Sequence, residues 1–120
     1  MKNQKSIIEL EEIVKKFCED RDWDQFHDAK ELSIGISTEA NELLQLFRFK
    51  NQEQIKDIFL KKESKEKIED ELSDVFYFIL RFAQLYNIDL SETLQKKIIK
   101  NEIKYPIEFS KGNNKKYNEE

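Results

Sequence analysis

Two glycines and one proline in 120 residues leave this chain almost without the residues that turn a backbone sharply. A β-sandwich or barrel needs a turn every ~8–12 residues, and those turns lean on Gly and Pro. The scarcity argues against the β architectures and predicts an all-α fold, a bundle of helices. At ~100–150 residues per domain the length allows only one. A domain this small buries about two-thirds of its unfolded surface, so its core is modest and association with further copies would help it.

Hydrophobic periodicity divides the chain. Ile7, Leu10, Val14 and Phe17 recur every three or four residues and predict a first helix from Lys5 to Asp20. The period is lost over residues 21–27, a loop carrying Trp23 and Phe26. Asp28 and Glu31 have capping-box spacing and open a second helix over Ala29–Phe49, with Leu32, Ile36, Ala40, Leu43 and Phe47 as its stripe. Residues 50–65 read as a polar connector in which Ile55, Ile58 and Phe59 form a short helical turn. A third long helix runs from Ser64 to Tyr86 on the stripe Ile68, Leu72, Val75, Ile79, Phe82 and Tyr86. Asp89 and Glu92 cap a fourth, which ends near Lys104 because Pro106 removes a donor and disfavours helix in the residue before it. The expected organisation is a single domain over 1–106 and a polar, mobile tail over 107–120.

Composition excludes some partners. Twenty-five acids against 21 bases disfavour stable nucleic-acid binding, which rests on clustered Lys and Arg. The longest apolar run, Val75–Leu80, falls far short of the ~20 residues that span a bilayer, so no membrane partner is expected. The first dozen residues lack the apolar core of a signal peptide. A single cysteine, Cys18, cannot form an internal disulfide and fits a cytoplasmic setting.

Most of the acids are solvated charge, but four are not placed like the rest. With Ile36 as the centre of the second helix's apolar face, Glu39 lies about 60° and Glu42 about 120° to one side. With Ile68 as the centre of the third long helix's face, Glu71 and Asp74 take the same two positions, at an interval of 32 residues. Carboxylates at the edge of an apolar face must be paired, protonated or bound to metal. Two such pairs on packed helices can converge into a hard oxygen site suited to Mg²⁺, with Mn²⁺ also possible. The plain alternative is that these acids flank the core and pair with surface lysines. Di-iron and zinc sites lack ligands, since the only histidine, His27, is in the loop. Two glycines do not make a phosphate loop.

Taken with their surroundings these residues resemble the MazG-like all-α nucleoside triphosphate pyrophosphohydrolases, and among them the dCTP pyrophosphatase branch. The resemblance rests on Glu39-x-x-Glu42 with Glu71-x-x-Asp74, on residues 21–27 (RDWDQFH), on Glu42-Leu43-x-x-Leu46-Phe47-x-Phe49-Lys50, and on Asp70-Glu71-Leu72-Ser73-Asp74-Val75. It continues in Lys97-x-x-x-Asn101-x-x-Lys104-Tyr105-Pro106 and in Lys115-Lys116-Tyr117. It implies hydrolysis of a nucleoside triphosphate to the monophosphate and pyrophosphate. Glu39, Glu42, Glu71 and Asp74 would then be both metal ligands and catalytic residues, the general base among them unspecified. It also implies substrate contacts from Trp23, Phe49, Phe78, Lys97, Asn101, Lys104 and Tyr105, and a homodimer or homotetramer that completes a four-helix-bundle-like fold. Three positions depart from the branch. Val14 replaces a base-contacting histidine, Phe78 a tyrosine and Phe49 a tryptophan, which together point to relaxed base selection. A non-enzymatic helical interaction module is the competing reading.

Overall fold

The sequence-encoded caps set where the helices begin. The Ser6 hydroxyl accepts from the Glu9 amide, and the Glu9 carboxylate accepts from the Ser6 amide, so α1 spans Ile7–Asp20. Asp28 accepts from the Glu31 amide at the start of α2, Ala29–Gln45. Asn51 and Gln54 form a second complete capping box, and α3 covers Gln52–Leu60. α4 is the long helix, Lys62–Leu85. Asp89 caps α5, Leu90–Lys104, and Pro106 precedes a four-residue α6, Ile107–Ser110. The computed structural model describes residues 3–115, and among them there is no strand.

The helical fold agrees with the expectation, with two local differences. α2 stops at Gln45 because the next amides, Leu46 and Phe47, bond to the carbonyls of Leu43 and Leu44 and tighten into turns. Phe49 then takes a left-handed backbone, φ 66°, that ends the turn. The connector is a true helix rather than a single turn: Phe59 stacks on Phe47 with ring centroids 5.9 Å apart, which holds α3 in place.

The chain divides into two compact units, the first ending at Asn87 and the second starting at Ile88. In the first, α4 is the central element, and α1, α2 and α3 each pack on it. Its buried apolar side chains among the described residues are Cys18, Leu32, Ile68, Leu80 and Ala83. Complete burial of one leucine such as Leu32 stabilises by ~1.5–3 kcal/mol. Tyr86, just past α4, ties the helices further, since its hydroxyl accepts from the Ala29 amide at 2.7 Å, one of the open donors at the start of α2. The second unit holds α5 and α6, so the expected boundary at Pro106 falls within it. Lys116 and Tyr117 of the expected tail motif lie outside the described residues.

Candidate functional site

On α2 and α4 the buried face is turned toward the acids. Ala40 and Leu72, placed by periodicity in the core, are exposed, whereas Glu39 and Glu71 beside them are half-buried. Glu42 and Asp74, one step further round each helix, are exposed. Glu39, Glu42 and Glu71 each offer a carboxylate oxygen, and these oxygens lie within 4.8 Å of one another. Oε2 of Glu39 and Oε2 of Glu71 are buried without a hydrogen-bond partner. None of the ion pairs formed among the described residues involves these acids.

Such crowding shows in the proton affinities. The pKa of Glu39 is pushed up to about 7, first by a hydrogen bond with Glu42, then by burial and the charges of Glu42, Asp74 and Glu71. Burial raises that of Glu71, helped by a hydrogen bond with Glu42 and by the charges of Glu42 and Asp74. Like charges that cannot all ionise must share protons or a cation. Converging hard oxygens with buried, unpartnered lone pairs fit a divalent ion such as Mg²⁺ or Mn²⁺. Glu39, Glu42 and Glu71 would hold it, and Asp74 adds negative charge close by.

A cavity of about 490 Å³ adjoins this cluster, with Glu39 and Asp74 on its wall. Its other walls are apolar or aromatic: Ile13, Val14 and Phe17 from α1, Trp23 from the following loop, and Tyr77 and Phe78 from α4. The Tyr77 and Phe78 rings stack with centroids 5.0 Å apart. Phe78 lies so close to α2 that a Cβ on Gly35 would meet its ring at 2.6 Å, so the glycine is what lets this wall sit back. The Tyr77 hydroxyl is engaged with the buried Cys18 thiol at 3.1 Å, and burial pushes its pKa up.

The structure thus brings the glutamates into one cluster and Trp23, Phe78 and Asp74 onto one cavity. Phe49 does not line that cavity. It is 90 % exposed, with the Arg48 guanidinium 4.6 Å from its ring centroid. Lys97, Asn101 and Lys104 stand along α5, and Tyr105 follows it, all within the second unit.

One residue was not singled out by the sequence. Arg81 is 1 % exposed, donating from Nε to His27 Nδ1 at 3.0 Å, from Nη1 to Gln84 at 2.5 Å, and from Nη2 to Asp24. Because Nδ1 accepts, the neutral His27 carries its proton on Nε2. Burial and the Arg81 charge both lower its pKa. In the sequence Arg81 merely follows the apolar run Val75–Leu80, and nothing there tells it from a solvated arginine.

A model of the MazG-like family matches residues 34–119. dCTP pyrophosphatase 1 of Bos taurus is 26% identical over 115 residues, covering 96% of this chain and 68% of that protein. The Rattus norvegicus dCTP pyrophosphatase 1 is 27% identical over 112 residues, covering 93% and 66%. Among solved structures, a pyrophosphatase from Archaeoglobus fulgidus DSM 4304 is similar with a TM-score of 0.78 and 29% identity, over 88% of this chain and 97% of that one.

Proposed function

Since the chain belongs to the MazG-like family, we propose that it is a cytoplasmic nucleoside triphosphate pyrophosphohydrolase, dependent on Mg²⁺, that converts a deoxynucleotide such as dCTP and one water to the monophosphate and pyrophosphate. The observation that carries this reading is the juxtaposition of an unpaired carboxylate cluster with an aromatic cavity. One end suits the cation and its polyphosphate, and the other suits a planar base. A divalent ion held by Glu39, Glu42 and Glu71, with Asp74 beside them, would supply neutralisation of the triphosphate charge and Lewis acidity. A carboxylate of the same cluster takes the proton of the attacking water. Trp23 and Phe78 give the base flat walls, where stacking contributes ~1–3 kcal/mol per base. By the resemblance, Lys97, Asn101, Lys104 and Tyr105 serve the phosphates and sugar, and Phe49 a further stacking face.

The cavity bears on which base is accepted. A polar contact built for one base rejects others strongly, whereas an apolar wall discriminates by only ~1–3 kcal/mol. Val14 and Phe78 bring no polar group to the cavity, and the Tyr77 hydroxyl is engaged with Cys18. Base selection is accordingly loose, with dCTP and other deoxynucleotides cut within roughly a hundredfold of one another. The test is kcat/KM for each of the eight common nucleotides with Mg²⁺, products being resolved by anion exchange. Monophosphate and pyrophosphate support the reading. Diphosphate and phosphate, or no turnover, refute it, and a dCTP preference above about a thousandfold refutes the loose pocket alone.

A further inference from the structure

We infer that Arg81, which lines no part of the cavity, is the positioning residue that fixes the cavity's tryptophan wall. α4 supplies the cavity with Tyr77 and Phe78, and Arg81 stands one helical turn beyond Tyr77. Its guanidinium turns outward from the helix to grip the loop after α1. The two loop residues it holds are Asp24, which follows Trp23 and opens a short 3-10 turn, Asp24–Phe26, and His27, which closes that turn.

Trp23 has no hydrogen bond of its own to a wall residue that would set its ring. It meets Phe17 edge-on at 5.6 Å and His27 edge-on at 6.4 Å, and its backbone amide bonds to the Cys18 carbonyl at 3.0 Å. The ring's position therefore depends on where His27 stands as well as on Phe17. His27 in turn stands where Arg81 Nε finds Nδ1. The third donor contact, to Gln84 on the same helix, keeps the guanidinium from swinging away. A side chain buried to this degree is held only while its charge is paired, so the grip and the loop conformation form together. Through this relay α4 both supplies Tyr77 and Phe78 to the cavity and holds the loop that carries its Trp23 wall.

The inference deepens the proposed function, since it makes Arg81 a determinant of substrate affinity. Trp23 is the chain's single tryptophan, so its fluorescence reports the wall without any need for turnover. The variants are Arg81→Met, His27→Leu and His27→Gln, the last keeping an oxygen that can accept from Nε. Arg81→Met and His27→Leu should raise acrylamide quenching of Trp23 in the ligand-free protein while helical circular dichroism is kept. They should also raise KM about tenfold with kcat within a few-fold, the loss of one base-stacking contact. His27→Gln should restore both readouts toward the parent protein. Unchanged quenching in a folded His27→Leu protein overturns the inference, as does a fall in kcat alone or a failure of His27→Gln to differ from His27→Leu. Where Arg81→Met does not fold, the His27 pair decides. A parent protein without turnover would remove the enzymatic reading, and the quenching series would still judge the relay.

Discussion

At the scale of single residues, Glu39 carries the clearest pH signature. Its pKa stands near 7 in the metal-free fold against an ordinary 4.5, so between those values the folded protein holds a proton that the unfolded chain has released. That contribution to stability is whole below pH 4.5 and is lost as pH rises through 7. Glu71 is raised too and acts in the same sense. His27 works oppositely: its pKa is lowered from 6.5, so its contribution is present above 6.5 and lost on acidification. The Glu39→Gln variant separates the two. Without metal it should melt higher than the parent at pH 8, with little difference at pH 4.5. Added Mg²⁺ should raise the parent's Tm more at pH 8 than at pH 5.5, and should raise the variant's little. Turnover in the variant should fall by more than about a hundredfold. Differential scanning fluorimetry across pH with and without Mg²⁺ checks the first three outcomes. Gly35 makes a different point. A methyl there must push the Phe78 ring off α2 and into the cavity, so Gly35→Ala should cost about 1–3 kcal/mol of stability. It should also raise KM for every nucleotide alike while leaving the Mg²⁺-induced Tm shift intact.

Among the elements, α3 shows how a helix can hide in a polar sequence. Nine residues with apolar side chains only at Ile55, Ile58, Phe59 and Leu60 give a weak stripe, yet Asn51 and Gln54 spell a complete capping box that composition alone passes over. Replacing Asn51 by Ala should cost about 1 kcal/mol, seen as a lower urea midpoint with an unchanged slope. The long helices were legible because each carries four or more apolar residues at helical spacing, and all of them but α4 begin at a side chain that caps them. What periodicity left open was the rotation of α2 and α4. A wheel centres the stripe on its own residues, whereas burial depends on what packs against each side, and here that shift moves Ala40 and Leu72 outward and Glu39 and Glu71 inward. The four acids could be picked out because their angular positions repeat on two helices. Arg81 could not, since an arginine near the end of a helix is ordinarily solvated, and only the fold reveals Asp24 and His27 beside it. Trp23 and Phe78 were named through resemblance, and their common cavity, with Tyr77 and Val14, became visible only in three dimensions.

For the whole molecule, the same 32-residue correspondence that pairs the acids also pairs the apolar residues left outside. On α2, Ala40 and Leu44 are exposed, Leu44 by 55 %; on α4 their counterparts Leu72 and Phe76 are exposed by 57 % and 40 %. In each helix these residues lie on the opposite edge of the apolar stripe from the carboxylates, about 40° and 80° from its centre. A face of this composition on two packed helices calls for a cover, because contiguous exposed apolar surface marks an interface. The five buried apolar side chains among the described residues of the first unit make a slight core for a chain this long, which sharpens the need. A second copy of the chain is the proposed cover, because two-fold association buries the same patch on both subunits at once and turns two helices into four. Of the other aromatics in the first unit, Tyr77 and Phe82 are half-buried, while Phe59 and Tyr86 remain about half exposed. The parent protein should therefore sediment at micromolar concentration as a dimer or tetramer of its 14.5 kDa chain. Leu72→Glu, which places a charge in the centre of that face and touches neither cluster nor cavity, should weaken association by at least about tenfold. Its helical circular dichroism and Mg²⁺-induced Tm shift at high protein concentration should stay close to the parent's. A parent protein that sediments as a 14.5 kDa monomer, or a Leu72→Glu variant that associates as tightly as the parent, would show that this face is not where the copies meet.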